Sequence, residues 1–416
     1  MRIKIFLLFP FIFLLAACAS SNQTAATATP AASAATSIPT LTAIAPTAQK
    51  TGCSAVSPEP TSAAASFFPA ISSTDYAIGP DDASVTMLEY CDFQTPICRS
   101  MAAVVSNVVH NHPNEVRVVF RPVPLIGGPD KSVLAVQGAI AAGDQNKFWE
   151  MYDALFQKSD EWDSLSTADF QSWLKNEASA LGLDAGQFAA ALNSDETITK
   201  MKSMYEAVRT LGLQAIPVLV LNGEAQPSFA LDYNSVDSNV SLLALSKRQF
   251  KTCPPFSIDT TKQYTATLHT EKGDVVIELF PDKAPTAVNS FVFLAQQGWF
   301  DNITFHRVIA GFVAQTGDPS GTGRGNPGYF FKNEIDPNLK FDKPGMVAMA
   351  NNGPDTNGAQ FFVTFAAEPQ LDGNYTIFGQ VLSGLDVLEK LTPRDTQQNP
   401  SALPGDKLIS VEVQEK

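Results

Sequence analysis

Three segments between Phe305 and Tyr375 carry the residues best suited to chemistry: FHRVIAGFVAQTGD, MANNGPDTNGAQFF and LDGNYTIFG. They set one arginine, Arg307, and one glutamine, Gln315, among aromatic and aliphatic side chains, with glycine-rich turns between. They contain no His/Cys metal set, no nucleophile paired with a base and no phosphate-cradling loop. A site so poor in acid–base groups fits catalysis of a rotation better than bond breaking. The slow rotation in proteins is about the X–Pro bond, which takes roughly tens to hundreds of seconds unaided. Its barrier of about 18–20 kcal/mol is the loss of amide resonance. A guanidinium near the prolyl nitrogen would stabilise the twisted amide more than either planar form, which lowers the barrier. One charge-assisted hydrogen bond is worth about 1.5–3 kcal/mol, whereas a 10⁵-fold acceleration needs about 7 kcal/mol. The aromatic residues that would fix the proline ring must therefore contribute too.

The elements that must hold these residues read as all-β with two helices, over residues 262–416. YTATLHTEKGDVVIELF alternates on both sides of a Lys272-Gly273-Asp274 turn, the pattern of a hairpin. A helix is predicted from Pro285, a favoured first-turn residue, with Val288, Phe291, Val292 and Ala295 on its buried stripe. Ile409, Val411 and Val413 alternate in a last strand. Short strands with Gly, Pro and Asn turns and few helices point to a closed barrel. Phe305 and Phe361 read as core. His306 reads as structural, because strand alternation would aim it away from Arg307.

This module is similar to the cyclophilin-type peptidyl-prolyl cis-trans isomerases, on the three motifs above together with GTG at Gly321–Gly323. The resemblance implies an eight-stranded antiparallel barrel with a helix at each end. It implies catalytic roles for Arg307, Phe312 and Gln315, and substrate contacts from Val313, Asn351, Phe362, Leu371 and Tyr375. Two positions depart from the commonest eukaryotic pattern: Tyr375 stands where His is frequent, and Gln370 where Trp is. That Trp contributes to cyclosporin binding in the family, so weak cyclosporin sensitivity is expected. No metal or organic cofactor is implied.

Residues 67–252 alternate strand and helix patterns: strands in Ser84–Phe93, Val116–Leu125 and Gln214–Gly223, a helix after Thr95, and a helical insertion including segments from Phe148 and Phe170. That order indicates an α/β domain. EYCDFQTPIC and Ile216-Pro217 make it resemble the DsbA-like branch of the thioredoxin fold, with Pro217 at the family's cis-proline position and Glu89 at its buried acidic position. Thr95 stands where that family has its nucleophilic Cys, leaving Cys98 as a degenerate redox site. A hydroxyl is not ionised at neutral pH and cannot replace the attacking thiolate. Thr95 also suits a helix N-cap. Cys91 and Cys98 admit a structural disulfide, two buried free thiols or an unusual redox couple.

The remaining segments set location. Arg2 and Lys4 precede an apolar run from Ile5 to Leu14, followed by Leu15-Ala16-Ala17-Cys18. The run is short for a membrane span and fits a signal peptide. LAAC resembles the bacterial lipobox, implying lipidation of Cys18 and an anchor on the outer face of a cell membrane, or the outer membrane if the cell has one. Residues 19–66 read as a disordered Ala/Thr/Ser/Pro stalk, uncharged from Ala19 to Gln49. An exported compartment permits disulfides, and a Cys53–Cys253 bridge would close the ends of the α/β domain, free thiols being the alternative. Residues 253–261 form a linker. The chain has 416 residues, net charge −14 and no basic block, which argues against nucleic acid and anionic membrane surfaces as partners.

Together these readings give a multidomain chain, an α/β thioredoxin-like domain then an all-β barrel. It would be a lipid-anchored extracytoplasmic prolyl isomerase acting on proline-containing unfolded or exported polypeptides. The alternatives are a bifunctional thiol–disulfide and proline foldase, and a non-catalytic surface binding protein.

Overall fold

The structure, a computed structural model, describes residues 52–56, 67–128, 130–395 and 404–416. The expected signal segment, Cys18 and most of the expected stalk lie outside the described residues. No helix among the described residues is long and apolar enough to cross a membrane.

The first domain is built on a five-stranded sheet in the order Tyr76–Ile78, Val116–Pro122, Val85–Cys91, Val218–Leu221, Glu224–Ala225. Val85–Cys91 runs parallel to Val116–Pro122, and the other neighbours pair antiparallel. VTMLEYC is apolar at successive positions because this strand is covered on both faces. Between the second and third main strands lies the helical insertion, from Ser132–Gly143 to Asp195–Leu211. Ser132–Gly143 is buried nearly all round, and its Gly138 lets Leu174 approach: a Cβ there would stand 2.9 Å from Leu174 Cδ2. The Ile216–Pro217 bond is cis.

The second domain is a curled ten-stranded antiparallel sheet. Its order is Arg394–Asp395, Arg307–Ile309, Val313–Thr316, Phe361–Thr364, Met346–Met349, Ile377–Ser383, Gly273–Leu279, Tyr264–Thr270, Lys407–Glu415, Ile303–Thr304. Thr304 and Arg307, near neighbours in the chain, sit towards opposite ends of that order, so the sheet wraps back on itself. The two-residue strands Ile303–Thr304 and Arg394–Asp395 extend the count beyond the eight expected. The helix Pro285–Gln296 packs Val288, Phe291 and Val292 inward, while the second helix, Leu385–Leu388, is a single turn. In Tyr264–Thr270 every second residue is buried, so the expected alternation holds. The hairpin turn falls on Glu271-Lys272, one step earlier than expected, because Thr270 pairs with Gly273, whose φ of 129° suits glycine.

Two expectations about the segments flanking the α/β domain are corrected. Cys53–Ala55 is not stalk: it is a strand paired antiparallel with Tyr329–Phe331 of the barrel. Cys53 is disulfide-bonded to Cys253 with a Cα separation of 6.1 Å, and both pack on the barrel core. The bridge therefore joins the two ends of the α/β domain as expected, and it also fastens the chain's N-terminal side to the barrel. Nor is 253–261 a free linker, since Ile258 is buried in the barrel and Ser257 N donates to Asn289 Oδ1 at 2.8 Å. Even earlier, Leu245 and Phe250 enter the barrel core, Phe250 N donating to Pro327 O at 2.8 Å. The two domains thus form one packed body.

Candidate functional site

The barrel strands bring the predicted residues into one cross-strand row. Arg307 lies opposite Gln315, Gln315 opposite Phe362, and Phe362 opposite Ala348. Directly opposite residues share a face of the sheet, so this register alone places a guanidinium, an amide and an aromatic ring side by side. Arg307 Cζ stands 5.8 Å from the Phe312 ring centroid, and its Nε is buried with no hydrogen-bond partner. Phe362 meets Tyr375 edge to face at 5.4 Å and stacks with Phe341 at 5.9 Å. Val313, Phe341, Met346, Ala348, Phe362 and Ile377 form a small apolar cluster on which Phe312, Leu371 and Tyr375 lean. Asn351 is braced by donating from Nδ2 to Asn374 O at 3.2 Å.

These side chains open on a single cavity of about 630 Å³ that includes Arg307, Phe312, Val313, Gln315, Asn351, Phe362, Leu371 and Tyr375 among its lining. All eight residues predicted for catalysis and substrate contact are therefore together. Gln370 is not in the lining; its side chain is bonded to Glu368.

Sequence reasoning missed what holds the other end. Gln315 Nε2 donates to Gln360 Oε1 at 3.0 Å, and Gln360 Nε2 donates to the carbonyls of Gly323 and Gly325 at 3.0 and 2.9 Å. Beneath that loop, fully buried Asp318 accepts from Ser320 N, Ser320 Oγ and Gly325 N at 2.9, 2.7 and 2.9 Å. A Cβ at residue 325 would stand 2.0 Å from Asp318 Oδ1, which explains the glycine. Short polar side chains bonding backbone two residues on are the local signal for such a turn, and the segment DPSGTGRG carries it.

His306 departs from its expected placement. It precedes the strand Arg307–Ile309, so strand alternation does not govern it, and it lines the same cavity as Arg307. It is buried, and neither ring nitrogen has a well-formed hydrogen bond, although the Gln360 side chain stands close enough to favour the charged form. Burial pushes the imidazole down to about 4, against the pull of Asp318, so the ring is neutral at ordinary pH.

In the first domain, Cys91 and Cys98 are disulfide-bonded, with Cα atoms 5.6 Å apart and both side chains fully buried. Thr95 precedes the helix Pro96–Asn111, but its hydroxyl does not cap it: Oγ1 donates to Asp92 O at 3.4 Å, while Asp92 Oδ1 serves Gln94 N at 2.8 Å. Glu89 is fully buried and accepts from Tyr152 OH at 2.9 Å. Burial lifts its carboxyl to about 8. Pro217 stands just before the strand Val218–Leu221 that flanks Glu89. Among the described residues no group of His, Cys, Asp and Glu could hold a metal ion.

Two family models match the chain. One is described as cyclophilin type peptidyl-prolyl cis-trans isomerase/CLD, over residues 265–413, and the other as thioredoxin, over residues 72–237. The chain is 42% identical over 150 residues to peptidyl-prolyl cis-trans isomerase-like 1 of Aspergillus niger, covering 35% of this chain and 93% of that one. It is 47% identical over 152 residues to peptidyl-prolyl cis-trans isomerase A of Mycobacterium tuberculosis, covering 32% and 84%. Similarity to peptidyl-prolyl cis-trans isomerase 9 of Schizosaccharomyces pombe is 44% over 151 residues, and the chain spans 25% of the length of that relative. A solved cyclophilin type isomerase of Cryptosporidium parvum, in the presence of the dipeptide Ala-Pro, is 35% identical, covering 36% of this chain and 99% of that one with a TM-score of 0.34.

Proposed function

The chain belongs to the cyclophilin-type peptidyl-prolyl cis-trans isomerases through its barrel domain, and we propose that it works as a lipid-anchored extracytoplasmic folding catalyst in which Arg307 stabilises the twisted prolyl amide. The observation that carries the mechanism is the row Arg307–Gln315–Phe362 opening on one cavity. A proline ring seated against Phe312, Val313, Phe362 and Leu371 leaves the prolyl nitrogen facing the guanidinium. As the amide twists, that nitrogen becomes pyramidal and gains a lone pair, which Arg307 meets with a charge-assisted hydrogen bond. Gln315, Asn351 and Tyr375 orient the flanking peptide, so that the rotation begins from a fixed geometry. No proton is transferred.

Lipidation at Cys18 and an exported location rest on the LAAC signal and on a compartment that tolerates disulfides. The thioredoxin-like domain serves in this reading as a scaffold or client holder. Burial of both Cys91 and Cys98, with Thr95 in place of a thiol, disfavours thiol exchange. The test is the cis–trans rate of a proline peptide with the full chain, by NMR exchange, alongside membrane fractionation of the wild type and Cys18→Ala. Catalysis with Cys18-dependent membrane retention supports the reading. No catalysed rate turns it towards the surface-binding alternative, and insulin reduction lost in Cys98→Ser revives the bifunctional one.

A further inference from the structure

The cavity is not built from the barrel alone. Ser238, from the first domain's helix Tyr233–Ala244, is among its lining residues. That helix is fixed from both sides: Val236 and Val240 are buried in the first domain's core, and Leu245, just past its end, is buried in the barrel core. Next to Ser238, Asn239 donates from Nδ2 to Gln226 Oε1 at 2.9 Å, and its Oδ1 accepts from Arg324 Nη2 at 3.3 Å. Arg324 lies between the two residues whose carbonyls Gln360 clamps, and its own N donates to Thr322 Oγ1 at 3.1 Å. Its guanidinium is exposed, yet it stands on a fixed loop with a partner from the other domain.

Charge supplies the second observation. Arg307, Arg324 and Arg394 line the cavity, and none of the described lining residues is Asp or Glu. The nearby carboxylates are not part of that lining: Asp318 is buried beneath the loop and bonded to Ser320 and Gly325, and Asp395, directly across the sheet from Arg307, is not among the lining residues. His306, buried and neutral, adds no charge above its low titration range. This is a cationic spot on a chain of net charge −14.

We propose that the Arg324 end of the cavity, bordered by Ser238 of the thioredoxin-like domain and braced by its Asn239, takes an acidic side chain of the substrate close to its proline. The inference rests on the isomerase reading of the cavity and names the substrate class: proline segments flanked by Glu or Asp. A guanidinium presents a planar fork that matches a carboxylate, and Asn239 acts as a positioning residue that holds that fork at the rim. The thioredoxin-like domain thereby shapes client choice without redox chemistry.

The test is kcat/KM of the full chain for matched peptides carrying Glu, Gln or Lys at each position flanking the proline, at low and high salt. At one position Glu should exceed Gln by about fivefold at low salt, the upper range for a surface ion pair, and the excess should shrink with salt. The chain's net charge repels acidic peptides at long range, so such an excess has to come from local contacts. Arg324→Gln should bring the Glu/Gln ratio to about one, Arg324→Lys should retain part of it, and Asn239→Ala should roughly halve it. Equal turnover of Glu and Gln peptides at every position, or a ratio unchanged in Arg324→Gln, overturns the inference while leaving the isomerase reading intact. Absence of turnover for every peptide overturns both.

Discussion

Asp318 makes a prediction whose size can be worked from its contacts. It is fully buried and accepts from Ser320 N, Ser320 Oγ and Gly325 N at 2.7–2.9 Å, with Thr322 Oγ1 farther off at 3.4 Å. Asp318→Ala leaves two backbone N–H groups without an acceptor, each costing about 1–3 kcal/mol where water cannot enter. The sum, roughly 2–6 kcal/mol, falls on the loop that carries Gly323 and Gly325, the carbonyl partners of Gln360. Gln360 is the partner of Gln315, so loosening the loop should loosen the catalytic row. Asp318→Asn keeps one oxygen for Ser320 but turns an amide NH₂ towards Gly325 N, at about half the cost. Hydrogen exchange of the Gly325 amide and kcat/KM on a proline peptide report the two ends of this chain. Asp318→Ala should speed exchange by more than tenfold and lower kcat/KM by at least tenfold, about 1.4 kcal/mol, with Asp318→Asn between it and wild type. If Asp318→Ala stays within twofold of wild type in both, the loop does not support the site and the reasoning fails.

Other outcomes follow from the same structure. Cys53 and Cys253 are 200 residues apart, so the chain-entropy relation gives their bridge about 5 kcal/mol as an upper figure; reduction, or Cys253→Ser, should lower the urea midpoint of the barrel markedly, and an unchanged midpoint would show the bridge to be idle. Glu89 holds its proton up to about 8 when folded and releases it near the ordinary carboxylate pKa when unfolded. The folded state then binds more protons across that window, so this group's stabilising share is complete below the unfolded pKa and declines by roughly 1.4 kcal/mol per unit as pH rises to about 8. Glu89→Gln should flatten the slope in pH-resolved denaturation, and a slope equal to wild type would reject that assignment. Gln370, bonded to Glu368 and outside the cavity lining, offers no indole to a cyclic peptide inhibitor; cyclosporin should inhibit weakly, and nanomolar inhibition would contradict this.

The sequence made the barrel legible where burial follows a short local period. Tyr264, Ala266, Leu268 and Thr270 alternate, and the buried set follows them. Arg307, Phe312 and Gln315 were readable as a group because the motif fixes their spacing, although only the register shows Arg307 and Gln315 opposite each other. His306 does not follow strand alternation because it lies outside the strand, just before Arg307. Arg324 and Asn239 meet across 85 positions, and no local pattern encodes such a contact. The same holds for Cys53, whose low-complexity surroundings read as stalk until pairing with Tyr329–Phe331 and the bond to Cys253 place it on the barrel.

The central claim is that Arg307 stabilises the twisted amide, and its most direct test is kcat/KM of Arg307→Ala and Arg307→Lys on one proline peptide, with folding checked by thermal melting. One charge-assisted hydrogen bond of about 1.5–3 kcal/mol corresponds to a loss of roughly tenfold to 150-fold. Arg307→Ala should fall in that range with an unchanged melting profile, and Arg307→Lys should recover part of the loss, keeping the charge without the fork. Turnover of Arg307→Ala within twofold of wild type would contradict the account.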